Sequence, residues 1–92
     1  PASTYSEDFK LEYGKATIEI HKDSIQKNDR VIIIDDLIAT GGTSRAAAKL
    51  VEESEGKVES FIFVINLFDL GGKNLLEKES YKTLVLINLP GH

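Results

Sequence analysis

The chain has no cysteine, no methionine and no tryptophan, and only two prolines and two histidines among its 92 residues. Without cysteine it can form no disulfide and no thiolate metal site, a composition compatible with a cytosol. The two histidines, His21 and His92, are far apart and lack ligand spacing, so no dedicated metal cage is expected. No apolar run approaches the roughly 18 residues of a membrane span, and no basic segment leads into an apolar stretch as in a secretory leader. Lys and Arg number 11 against 15 Asp and Glu, a net charge of −4 that argues against a nucleic-acid footprint. What remains is 41% hydrophobic and 28% charged, ordinary for a soluble globular protein. The length fits one small domain at most, and a chain of this size buries only about 60–65% of its unfolded surface, so a thin core is expected.

Residues 31–44, VIIIDDLIATGGTS, are the most informative stretch. The run Val31, Ile32, Ile33, Ile34 reads as a strand buried on both faces, the kind found in parallel sheets. Asp35 and Asp36 fall at its carboxyl end, where open α/β sheets bind ligands. Ala39, Thr40, Gly41, Gly42 and Thr43 make a turn with little side-chain bulk, open to close approach by a ligand. Thr43 or Ser44 is expected to cap the helix that follows, whose N-terminus adds roughly +0.5 of a charge at the same place. Such a turn binds a phosphate, and two carboxylates beside it suit a ligand that also carries hydroxyls. Neighbouring strand residues face opposite ways, so one of the two aspartates could be structural. No Gly-Lys-Ser/Thr ending is present, which excludes a Walker A loop.

Around this motif, residues 1–8 read as loop or frayed terminus, residues 9–14 as short strand or loop, and residues 16–20 as a half-exposed strand. Residues 22–30 form a polar connection with one helical turn near Ile25 and a turn at Asn28-Asp29. Residues 45–53 are expected to be an amphipathic helix burying Ala46, Ala47, Leu50 and Val51, with Gly56 as its C-cap. Residues 58–66 follow as a strand, with 61–65 buried on both faces. A short helix over 73–78 turns Leu75 and Leu76 inward, and a last strand covers 83–89. Phe61, Phe63 and Phe68 are expected in the core. This order implies an α/β fold, a parallel sheet with right-handed crossovers flanked by helices.

The ATGGT stretch with its aspartate pair closely resembles the phosphoribosyl pyrophosphate (PRPP) motif of type I phosphoribosyltransferases. Leu11-Glu12-Tyr13-Gly14 with IEIHKDSI, and INLFDLGG with the Pro90-Gly91-His92 terminus, resemble the adenine-specific branch of that family. Where hypoxanthine-guanine enzymes carry an aspartate addressing the purine N7, this chain has Ala39; orotate enzymes usually read TAGT. The resemblance begins in the middle of the family sequence, so the chain is expected to be the C-terminal part of one domain. Residues 1–20 would be its lid and returning strand, and residues 31–92 its nucleotide-binding core.

The resemblance further implies transfer of a phosphoribosyl group from PRPP to adenine, giving AMP and pyrophosphate. Asp35 and Asp36 would hold the ribose hydroxyls, and Ala39, Thr40, Gly41, Gly42 and Thr43 the 5′-phosphate. Glu12 would be the catalytic carboxyl that addresses the purine nitrogens and exchanges a proton with the base, with Tyr13 ordering the lid or shielding the site from water. Mg²⁺ would be held mainly by the ligand's oxygens and water, with no direct protein ligand. A cytoplasmic homodimer is implied, with no nucleic-acid or membrane partner. The close resemblance over residues 66–72 implies a structural or dimer-contact role there, though no chemistry points to them. The rival readings are a non-catalytic nucleotide sensor of the same fold and an inactive fragment.

Overall fold

A computed structural model of the chain describes residues 4–11, 14–21 and 25–91, the first two segments through their backbone. The chain divides into two compact units, one of residues up to Val31 with Gly42–Val58, the other of Ile32–Gly41 with the residues from Glu59 onward.

In the first unit β1 (Thr4–Leu11) and β2 (Gly14–His21) pair antiparallel, from Thr4↔His21 to Leu11↔Gly14. Thr4 to Asp8, expected as loop, is therefore strand. Its polar composition hid the pairing, which satisfies backbone groups whatever the side chains are. The connection before β3 turns at Asn28 (φ 69°), as expected, and Asp29 N–H donates to the Gln26 carbonyl at 3.0 Å.

Helix α1 spans Gly42–Glu53 and lies beside β1 and β2. It starts three residues earlier than expected, so Thr43 and Ser44 lie inside its first turn and neither caps it. The residue before the helix is Gly41, at φ 91°. Ser44, Ala46, Ala48, Leu50 and Val51 are buried, whereas Ala47 is only half-buried. Small residues let α1 bury a wider arc than the expected stripe.

At the helix end Glu55, at φ 66°, takes the left-handed position assigned above to Gly56. Glu55 N–H donates to the Glu52 carbonyl at 2.9 Å and Gly56 N–H to the Val51 carbonyl at 3.0 Å, which is a Schellman closure. Gly56 is needed for space: a Cβ there would meet Ile25 Cγ2 at 2.7 Å.

A three-stranded parallel sheet in the order β3-β4-β5 is formed by β3 (Arg30–Ile38), β4 (Lys57–Leu67) and β5 (Thr83–Leu89), with helix α2 (Gly72–Lys78) between the last two strands; all but the first two residues of β3 and of β4 fall in the second unit. The register of β4 and β5 runs from Phe61↔Thr83 to Leu67↔Leu89. Ile38, Phe61, Phe63 and Leu76 are fully buried. The Phe61 and Phe63 rings stack 5.8 Å apart, and Tyr81 meets Phe61 edge-on at 5.5 Å. Each such phenylalanine contributes about 1.5–3 kcal/mol by burial. Phe68, expected in the core, is exposed, because it follows the end of β4 in the turn to α2.

The expectation of strands buried on both faces is corrected. Ile34 is 70% exposed, with Ile32 and Val64 also open; Leu84 and Leu86 on β5, for which no such burial was expected, are exposed too. Alternate residues of β3 meet solvent while Val31 and Ile33 are half-buried. An all-apolar run reports that both faces are fit for burial, and not that both are covered among the described residues.

Candidate functional site

Strand β3 carries Asp35 and Asp36 within its last four residues, so pairing in the sheet fixes their backbone. Asp35 is half-buried and Asp36 exposed, the alternation expected of consecutive strand residues. Asp36 N–H donates to Asp35 Oδ1 at 2.8 Å. Burial raises the Asp35 pKa above its ordinary 3.8; the bond from the Asp36 amide opposes this, while the Asp36 carboxyl adds to it. The pair thus offers acceptor oxygens to neutral donors such as hydroxyl groups.

After Ile38, which is fully buried, the chain leaves the sheet through Ala39, Thr40 and Gly41. Gly41 is buried with φ 91°, a conformation open to glycine at little cost. A Cβ on Gly41 would lie 3.1 Å from both Gly72 Cα and Leu75 Cδ2. Gly72 N–H donates to the Ala39 carbonyl at 3.0 Å, so the turn is held from the start of α2. Gly42 and Thr43 continue the chain as the first two residues of α1. Free N–H groups at a helix start attract anions, and the first turn of α1 holds no acidic residue to oppose one.

Of the expected site residues, Asp35, Asp36, Ala39, Thr40 and Gly41 thus fall on one strand end and its turn, with Gly42 and Thr43 next in the chain. Glu12 and Tyr13 lie outside the described residues. Among the described residues no group of three or more His, Asp or Glu side chains could hold a metal ion, and no helix is long and apolar enough to cross a membrane. An open depression on α2, lined by Gly71, Asn74, Leu75, Glu77 and Lys78, includes none of the expected site residues. The part played by Gly72 was missed in the sequence. Its one signal was a second strand-Gly-Gly-helix passage, Gly71-Gly72, echoing Gly41-Gly42.

The phosphoribosyl transferase domain family matches residues 2–88. This chain belongs to that family. The adenine phosphoribosyltransferase of Pelagibacter ubique is 65% identical over all 92 residues, which span 53% of that protein. The crystal structure of adenine phosphoribosyltransferase from Thermoanaerobacter pseudethanolicus superposes with a TM-score of 0.86 at 46% identity, over 97% of this chain and 51% of that one. The Saccharomyces cerevisiae enzyme, crystallised with D-2,5-dideoxy-2,5-imino-altritol 1,6-bisphosphate and adenine, gives 0.83 at 36% identity, over 94% and 47%. The phosphoribosyl transferase chain described here thus spans about half the length of the relatives it matches. The expected family and its partial parallel-sheet domain are borne out.

Proposed function

We propose that this chain carries the phosphoribosyl-binding part of an enzyme that transfers the phosphoribosyl group of PRPP to adenine. The observation that carries the reading is the carboxylate pair on β3 followed by the Gly41 turn into a helix whose first turn lacks acidic residues. Ribose hydroxyls would donate to Asp35 and Asp36, each charge-assisted bond worth about 1.5–3 kcal/mol. The 5′-phosphate would accept from the backbone N–H groups of residues 40–43 and from the hydroxyls of Thr40 and Thr43.

In the reaction a purine nitrogen forms a bond to the anomeric carbon as the bond to pyrophosphate breaks, and the proton lost by the base passes to an acceptor. Glu12 is assigned that role and Tyr13 the ordering of the lid or the shielding of the site from water, both from resemblance. Positive charge develops on the ribose, and fixing both substrates away from water lowers the barrier. Two adjacent carboxylates make no cage for Mg²⁺, so the ion would be held through pyrophosphate oxygens and water, screening the leaving group.

Ala39, which has no proton to exchange, supports adenine over 6-oxopurines. The names of the relatives and the adenine in the yeast structure support the same choice. A cytoplasmic homodimer is the accompanying proposal.

The test is Mg²⁺- and PRPP-dependent conversion of labelled adenine to AMP by the full chain, with hypoxanthine, guanine and orotate in parallel. Conversion of adenine alone is expected. Turnover of hypoxanthine or orotate in preference to adenine would contradict the assignment.

A further inference from the structure

We propose that Gly72 is a positioning residue for the phosphate-binding turn; this rests on the reading of that turn given above. Gly72 is buried, and its N–H donates to the Ala39 carbonyl at 3.0 Å. The peptide joining Ala39 to Thr40 is trans, as none of the described peptide bonds is cis, and resonance keeps a peptide unit close to planar. Its carbonyl and N–H therefore point in opposite directions. Anchoring the Ala39 oxygen to Gly72 fixes the Thr40 N–H on the side away from α2. The bond thus sets the aim of a donor assigned to the phosphate, although Gly72 itself never touches the ligand.

Space makes the same demand. A Cβ on Gly72 would overlap the Ala39 carbonyl oxygen, and would lie 2.7 Å from Ile38 Cγ1 and 2.9 Å from the Gly41 nitrogen. Two of those three neighbours are backbone atoms of the turn, which cannot swing aside as a side-chain tip can. The fit is reciprocal, since a Cβ on Gly41 would be 3.1 Å from Gly72 Cα and 3.2 Å from the Gly72 carbonyl oxygen. Gly71 differs from its neighbour: nothing lies within 4 Å of a Cβ there, and glycine serves only its φ of 82°. Gly71 turns the chain, and Gly72 makes the contact.

Gly72→Ala in the full chain, compared with the unaltered protein, tests this through steady-state kinetics and titration with ribose 5-phosphate and AMP. The KM for PRPP and the Kd for both phosphates should rise about tenfold or more, while the KM for adenine stays within about twofold. Unchanged phosphate affinity, or equal losses for adenine and PRPP, would overturn the assignment. If the variant does not fold, hydrogen exchange of the Gly72 amide in the unaltered protein decides. It should slow about tenfold further when AMP binds, and exchange indifferent to AMP overturns the proposal. Failure of the unaltered protein to bind either phosphate would instead remove the reading of the turn itself.

Discussion

Two passages in this molecule use the same backbone device with different side chains around it. β3 leads through Gly41-Gly42 into α1, and β4 leads through Gly71-Gly72 into α2; in each the first glycine is left-handed, at φ 91° and 82°, and the second begins the helix. The first passage follows two aspartates, is flanked by Thr40 and Thr43, and opens a helix of 12 residues. The second follows Phe68 and Asp69 and opens a helix of seven. If the first passage alone binds phosphate, as proposed, a left-handed glycine before a helix is no binding signature by itself. In the proposed reading the binding comes from the acids, hydroxyls and helix-start N–H groups around it, and the second passage serves by packing against the first.

The sharpest way to break this contrast is to burden the first glycine of each pair. Gly41→Ala forces a left-handed alanine and places its Cβ 3.1 Å from Gly72 Cα. Ribose 5-phosphate affinity should fall at least about tenfold by titration, and stability by about 1–2 kcal/mol in denaturant. Next in size is Asp35→Asn, expected to cost about tenfold in AMP affinity through the loss of a charge-assisted acceptor.

The same carboxyl predicts a pH dependence. Its folded pKa lies above the ordinary 3.8, so the fold favours the neutral form. Asp35 then helps stability at pH values below 3.8, and that help is lost as pH rises through the raised value. Ligand hydroxyls need the ionised form, so AMP affinity should weaken as pH falls through the same range. Asp35→Asn should remove that component, measured as the ratio of the two proteins' affinities across pH.

Gly71→Ala, with open space around the new Cβ, should cost about 1 kcal/mol of stability yet leave phosphate affinity within about twofold. An affinity loss matching that of Gly41→Ala would erase the distinction between the passages. Smallest of all, Glu55→Gly relieves a left-handed glutamate at the end of α1. It should stabilise by about 0.5 kcal/mol, read as a small rise in the denaturation midpoint, because the entropy of glycine offsets part of the relief.

Much of this was legible in the residues. β5 matches the expected 83–89, α2 starts one residue early, and the expected turn joins β3 to α1. These signals are local: apolar runs, glycine pairs and acids at a strand end. What stayed hidden depends on neighbours distant in sequence. Ile34 and Val64 are solvent-exposed although their strands read as buried on both faces, because an apolar run does not say what covers it. The strand character of Thr4 to Asp8 came from pairing with β2. Glu55 took the left-handed position because Gly56 was needed for close packing against Ile25. The Gly72 contact joins residues more than thirty positions apart, and no spacing rule announces it.

On the proposed reading, one of the two passages binds phosphate and the other does not. Backbone amide resonances of the full chain, followed during titration with ribose 5-phosphate, test it most directly. Saturable shifts are expected at Thr40, Gly41, Gly42 and Thr43, with Asp69, Leu70 and Gly71 unmoved. Shifts of equal size in both passages, or none in the first at saturating ligand, would contradict it.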